Sequence, residues 1–214
     1  MEFLSPYPGL EPGFIASHFP FSGSEPVLVL ELHVKGTSLW TPAFASLRPE
    51  ARFIVFASDE AAEQEARQLT AGISSRVRFL RADWFSGIWE TKLPAGFHVI
   101  WALGAASGAA YSQVQILAGR LAAKLREGGM LFWGEEIRPS SPVVEADYER
   151  RLEEYRKGKG IPFPAANPER DGVPVTPRPN ADQVRRWMES AGLSNVDLLW
   201  KQELASVTTG MKKV

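Results

Sequence analysis

The residues of this 214-residue chain that could do chemistry come in short groups at the ends of apolar runs. Glu31, His33 and Lys35 alternate at the end of the first run (VLVLEL), with Gly36 next. An imidazole and an ammonium so spaced can hold a phosphate or carboxylate beside a helix N-terminus. The plainer alternative is a relaxed, empty turn that tolerates those side chains. Asp59 and Asp83 follow the second and third runs. Trp40, Trp84, Trp101 and Trp133 fall at or just past run ends, where they either cage a ligand or plug the cleft as core. Glu135, Glu136, Tyr148 and Tyr155 form a later group, in which one member can act as general base or all can line a solvated helix face. Arg150, Arg151, Arg156, Lys157 and Lys159 interleave with Glu149, Glu153 and Glu154, a pattern of helix-stabilising pairs and not a phosphate-binding stripe. The 3 histidines show no metal-ligand spacing, so no metal site is expected.

The elements that must position these residues follow from periodicity. Val27–Leu32, Phe53–Ala57, Val77–Leu80, Phe97–Leu103 and Met130–Trp133 read as strands, most of them apolar enough to be buried on both faces. Asp59–Leu69 reads as a helix, acidic in its first turn. Tyr111–Leu125 is a second helix, with Val114, Leu117, Leu121 and Leu125 on one stripe and Gly128-Gly129 to stop it. This alternation predicts a mostly parallel sheet with helices on both faces. Beyond Trp133 the rhythm changes. Val144–Lys157 reads as a helix, Gly158–Asn180 as a long Pro- and Gly-rich loop, and Asp182–Ala191 as a helix closed by Gly192. Val196–Trp200 and Ala205–Met211 are the last strand candidates. Residues 1–26, punctuated by proline and glycine between apolar side chains, are expected to form an arm or short helix docked on the domain.

Composition bounds the class. With 44% hydrophobic and 23% charged residues, the chain reads as one globular domain over 1–214, long enough to bury its own core. Cysteine is absent, which excludes disulfides, thiolate metal sites and cysteine nucleophiles and fits a reducing, cytoplasmic compartment. A net charge of -1 gives no global pull toward nucleic acid or anionic membrane. No apolar run approaches the ~20 residues of a membrane helix, and the N-terminus lacks the basic-then-apolar pattern of a signal peptide.

Five stretches in sequence order carry a resemblance: Leu28–Thr37, Ala51–Arg67, Val77–Trp84, Leu121–Glu136 and Met188–Val196. With them the chain, from about Pro26 on, resembles the class I S-adenosylmethionine-dependent methyltransferases. The resemblance implies a Rossmann-like α/β fold with a seven-stranded, mostly parallel sheet whose last strand is antiparallel. It places the cofactor across the carboxyl ends of strands one to four, where open α/β sheets bind ligands. The cofactor-binding positions it implies are Glu31, Gly36, Asp59, Asp83 and Trp84. Glu31 holds the family's acidic position after strand one, and Asp83 the position that contacts adenine. The family's alternate glycines are replaced by His33, Lys35 and Thr37, a one-residue slip recovering only Gly36. The ribose-binding acid falls on Ala57, with Asp59 two residues later, and His98 stands where an acid often opens strand four. After strand four the chain reads Leu103-Gly104-Ala105-Ala106 in place of an Asn/Asp-Pro-Pro-Tyr motif, which argues against amino-group methylation of nucleic-acid bases.

A micromolar ligand is held by about 8 kcal/mol. Losing hydrogen bonds to a charged acceptor costs roughly 1.5–3 kcal/mol, and side chains intruding on a close backbone contact add about 1–3 kcal/mol. Together these move a micromolar site to roughly millimolar. Three functions follow from the resemblance. One is a degenerate homologue with a weak or absent cofactor site, acting as a scaffold, as the partner of an active paralogue or as the binder of another small molecule. Another is a working methyltransferase using S-adenosylmethionine on a small-molecule acceptor, with 138–180 as a lid over the sheet. The last is a tRNA-modifying relative, suggested by Ala191–Lys212 and opposed by the missing basic patch. A small molecule or a protein, in a homo- or hetero-oligomer, is the expected partner.

Overall fold

The computed structural model describes residues 10, 12–18, 26–34, 36, 39–106, 109–158, 169–170, 173–174 and 177–214. Seven strands form one sheet: β1 (Leu28–His33), β2 (Arg52–Ala57), β3 (Val77–Arg81), β4 (Phe97–Leu103), β5 (Leu125–Glu136), β6 (Leu193–Gln202) and β7 (Ala205–Lys212). Their order is β3-β2-β1-β4-β5-β7-β6. The first five are mutually parallel, and β7 runs antiparallel to both β5 and β6. The expected Rossmann-like architecture with an antiparallel last strand is therefore present.

The alternation along each strand divides the core. Leu30 and Leu32, Ile100 and Ala102, and Leu131 and Trp133 face one layer, which holds α4 (Tyr111–Lys124) and α6 (Ala181–Ser190). Val29, Phe53, Val55, Val99, Trp101 and Phe132 face the other, with α1 (Pro12–Ser17), α2 (Thr41–Leu47) and α3 (Glu60–Leu69). Within the expected arm, α1 buries Ile15 completely in that second layer; residues 1–9, 11 and 19–25 lie outside the described residues. The reversal of strand order between β1 and β4 is the topological switch, and there Glu31 sits beside Trp101 in register.

Several elements differ from the sequence reading. Helix α2 was not expected; it is short, largely apolar, and has Pro42 in its first turn, a position that proline favours. Helix α4 ends at Lys124, before the glycine pair, and β5 begins pairing at Leu125 with an irregularity opposite Phe97. Gly129 serves that irregularity: a Cβ there would stand 2.7 Å from the Phe97 carbonyl oxygen. Helix α5 (Pro142–Gly158) is two residues longer at its start than expected. Of the Pro-rich loop, residues 159–168, 171–172 and 175–176 lie outside the described residues; Glu169–Arg170 and Val173–Pro174 pair as a small antiparallel hairpin.

Candidate functional site

The carboxyl ends of β1, β2 and β3 bring the predicted residues into one neighbourhood. His33 lies in register with Ala57, and Ala57 with Arg81, so the row across the strand ends is imidazole, methyl and guanidinium. Ala57 is fully buried, and no carboxylate stands at that strand end itself. Arg81 turns to Glu60 and Glu63 on α3, at 3.3 and 3.7 Å.

Glu31 is buried and bonded to α2. Its Oε1 accepts the Trp40 N–H at 2.7 Å, and its Oε2 accepts the Thr41 N–H at 2.8 Å and the Thr41 hydroxyl at 2.6 Å. The strand's acid thus caps the next helix, whose own N-cap position, Trp40, has no side chain able to do so. Burial pushes the Glu31 carboxyl up to about 7, against the pull of those three bonds.

Asp59 and Asp83 are also turned to local backbone. Asp59 accepts the Ala62 N–H at 2.8 Å as the N-cap of α3 and takes a bond from the Ser58 hydroxyl at 2.9 Å. Asp83 is exposed and accepts the Phe85 N–H at 2.9 Å, closing its own turn. Trp84 is buried in the α4/α6 layer, edge-on to Phe56 with ring centroids 5.7 Å apart, and its carbonyl accepts the Trp89 indole N–H. Trp101 lies in the opposite layer, perpendicular to Phe44 at 5.0 Å and 6.3 Å from Trp40. Trp40, Trp84, Trp101 and Trp133 are core side chains, and the indole N–H groups of Trp101 and Trp133 are buried without an acceptor among the described residues.

The loop between β1 and α2 carries a contact that sequence reasoning missed. Glu65 on α3 reaches back to it, its Oε2 accepting the Gly36 N–H at 2.8 Å and lying 3.1 Å from His33 Nε2. Nothing in the helical pattern separates Glu65 from its neighbours Glu60 and Glu63. Lys35 and Thr37 lie outside the described residues.

The second group gathers at the carboxyl end of β5. Glu135 is buried, whereas Glu136 meets Arg178 Nε at 2.9 Å. The same guanidinium reaches Glu149 at 2.7 Å and Glu145 at 3.8 Å on α5, tying that helix and residues 177–179 to the end of β5. Tyr111 donates its hydroxyl to the Pro177 carbonyl at 2.7 Å and packs 5.1 Å from Trp187. Glu135, Glu136, Arg178, Tyr111 and Trp187, with Val114, line a cavity of about 70 Å³, well below the roughly 300 Å³ at which ligand pockets begin. Tyr148 lies away from it, 5.2 Å from the Lys201 ammonium, and the Tyr155 side chain lies outside the described residues. Among the described residues no group of histidines and carboxylates is placed to hold a metal ion, and no helix is long and apolar enough to cross a membrane.

This architecture is that of the class I methyltransferases. Solved structures with the same fold include the S-adenosylmethionine-dependent methyltransferase SibL, with a TM-score of 0.61 and 19% identity over 88% of this chain and 51% of that one. An O-methyltransferase family 2 protein from Planctomyces limnophilus, in complex with apigenin, gives 0.63 and 18% identity over 86% of this chain and 50% of its own. Human N-acetylserotonin methyltransferase, in complex with S-adenosylmethionine, gives 0.57 and 14% identity over 87% and 48%. The chain spans about half the length of these proteins, and at such identities the likeness is one of fold. No family model and no curated protein sequence matches it.

Proposed function

We propose that this chain is a methyltransferase-fold protein with a degraded S-adenosylmethionine site. It acts in the cytoplasm as a scaffold, as the partner of an active paralogue or as the binder of another small molecule. One observation carries the reading: the strand-end acids are engaged by local backbone, Glu31 and Asp59 capping helices α2 and α3 and Asp83 closing its own turn, while Ala57 stands at the position to which the resemblance assigns the ribose acceptor. A nucleoside would have to compete with these backbone bonds, each worth roughly 0.5–1.5 kcal/mol, or roughly 1.5–3 kcal/mol where the carboxyl is ionised. The residues present do not suit the cofactor in the family's usual manner.

The test is calorimetric titration with S-adenosylmethionine and S-adenosylhomocysteine. The expected dissociation constant is weaker than about 1 mM, following from about 4 kcal/mol lost out of about 8. Micromolar binding overturns the reading in favour of an active methyltransferase with a small-molecule acceptor beneath residues 138–180. That second reading draws support from Arg178, which ties α5 and residues 177–179 to the end of β5, as a lid would require.

A further inference from the structure

The loop after β1 is already bonded to an anion, and the protein itself supplies it. The Gly36 N–H and His33 Nε2 converge on one oxygen, Glu65 Oε2, at 2.8 and 3.1 Å. His33 is wholly buried and Glu65 keeps 15% of its side chain exposed. Burial holds the imidazole below its ordinary 6.5, and its Nδ1 is buried without a partner among the described residues. A neutral ring with its proton on Nε2 accounts for both facts. It donates toward the carboxylate and leaves on Nδ1 a lone pair, not an unmatched N–H. Gly36 adopts φ +79°, a left-handed conformation that glycine takes without strain. The acids in the first turn of α3 pair elsewhere, Glu63 with Arg67 at 2.7 Å and Glu60 with Arg81.

We propose that His33 Nε2–H and Gly36 N–H form a carboxylate-binding pair, and that Glu65 fills it as an internal ligand closing the loop after β1 to an external one. This rests on the reading that the loop is not a working cofactor cradle. A monoanionic carboxylate suits the pair better than a phosphate dianion, because Asp59 also faces His33 with its negative charge.

Formate tests the pair directly in Glu65→Ala. Hydrogen exchange at the Gly36 amide, followed by NMR, should accelerate about tenfold on loss of one hydrogen bond. Formate, a ligand of three heavy atoms, should reverse this at on the order of 100 mM and raise the Tm of the variant, with chloride of equal ionic strength as the control. The wild type, with its pair filled, should show no formate effect. Glu65→Gln keeps the side-chain volume and should give intermediate exchange, which covers the case of an unfolded alanine variant. Unchanged Gly36 exchange in the folded variants, or a formate effect equal in wild type and Glu65→Ala, overturns the internal ligand alone. Micromolar S-adenosylhomocysteine binding by the wild type overturns the underlying reading as well.

Discussion

Replacing Glu31 with glutamine should change how the protein's stability depends on pH. Burial holds this carboxyl at about 7, compared with 4.5 when exposed. Between those values the folded chain keeps a proton that the unfolded chain has lost, so unfolding free energy falls as pH rises. The gap of 2.5 pH units between 4.5 and about 7 corresponds to about 3 kcal/mol at about 1.36 kcal/mol per unit. His33 works in the opposite direction: burial lowers its pKa, so the stability it contributes is lost as pH falls below 6.5. The informative quantity is therefore the difference between wild type and Glu31→Gln at each pH, in which His33 largely cancels. The amide keeps one acceptor but sets its NH₂ against a donor at Trp40 or Thr41, a cost of about 1–3 kcal/mol. Urea denaturation across pH 4 to 8, a range of about four units, should find the variant less stable in acid. The deficit should shrink by about 3 kcal/mol, or reverse, by neutral pH. A difference that stays flat, or widens toward neutral pH, refutes the argument that burial dominates at Glu31.

Other substitutions probe separate features. Gly129→Ala should destabilise by about 2 kcal/mol or more in denaturant melts, because its Cβ meets the Phe97 carbonyl at 2.7 Å. Trp101→Phe should cost less than the roughly 3–5 kcal/mol of a large-to-small aromatic truncation, since the lost indole N–H has no acceptor among the described residues. Arg178→Gln should speed hydrogen exchange in α5 while lowering global stability by only about 1 kcal/mol, as expected for half-exposed ion pairs. The combined change His33→Gly, Lys35→Gly and Ala57→Asp should bring S-adenosylhomocysteine binding into calorimetric range, and no gain in a folded variant would count against the degraded-site reading.

Central strands were legible because burial on both faces leaves a sequence mark: VLVLEL, FIVFA and FHVIWAL admit few other readings. Helix α2 was not, because seven mostly apolar residues present no polar stripe; its one cue was proline after Thr41. The site divided in the same way. The positions of Glu31, Asp59 and Asp83 at strand ends followed from sequence order. Their partners did not, because Glu31 finds Thr41 only once α2 has folded back over β1. Glu65 was hidden for a related reason: a helical acid shows its role only when the neighbouring loop is in place.

The antiparallel insertion of β7 between β5 and β6 has a consequence for the order of assembly. Until Ala205–Lys212 have been synthesised, β6 has no neighbour and the far side of β5 stays open. Pairing Glu136 with Ala205 and Met130 with Met211 closes chain segments separated by the whole of α5, the Pro-rich loop and α6. Loop closure over such distances slows folding and leaves strand edges open to wrong partners in the interval. On the ribosome, the first four strands and their helices can collapse early, while the completed sheet waits for its final strand.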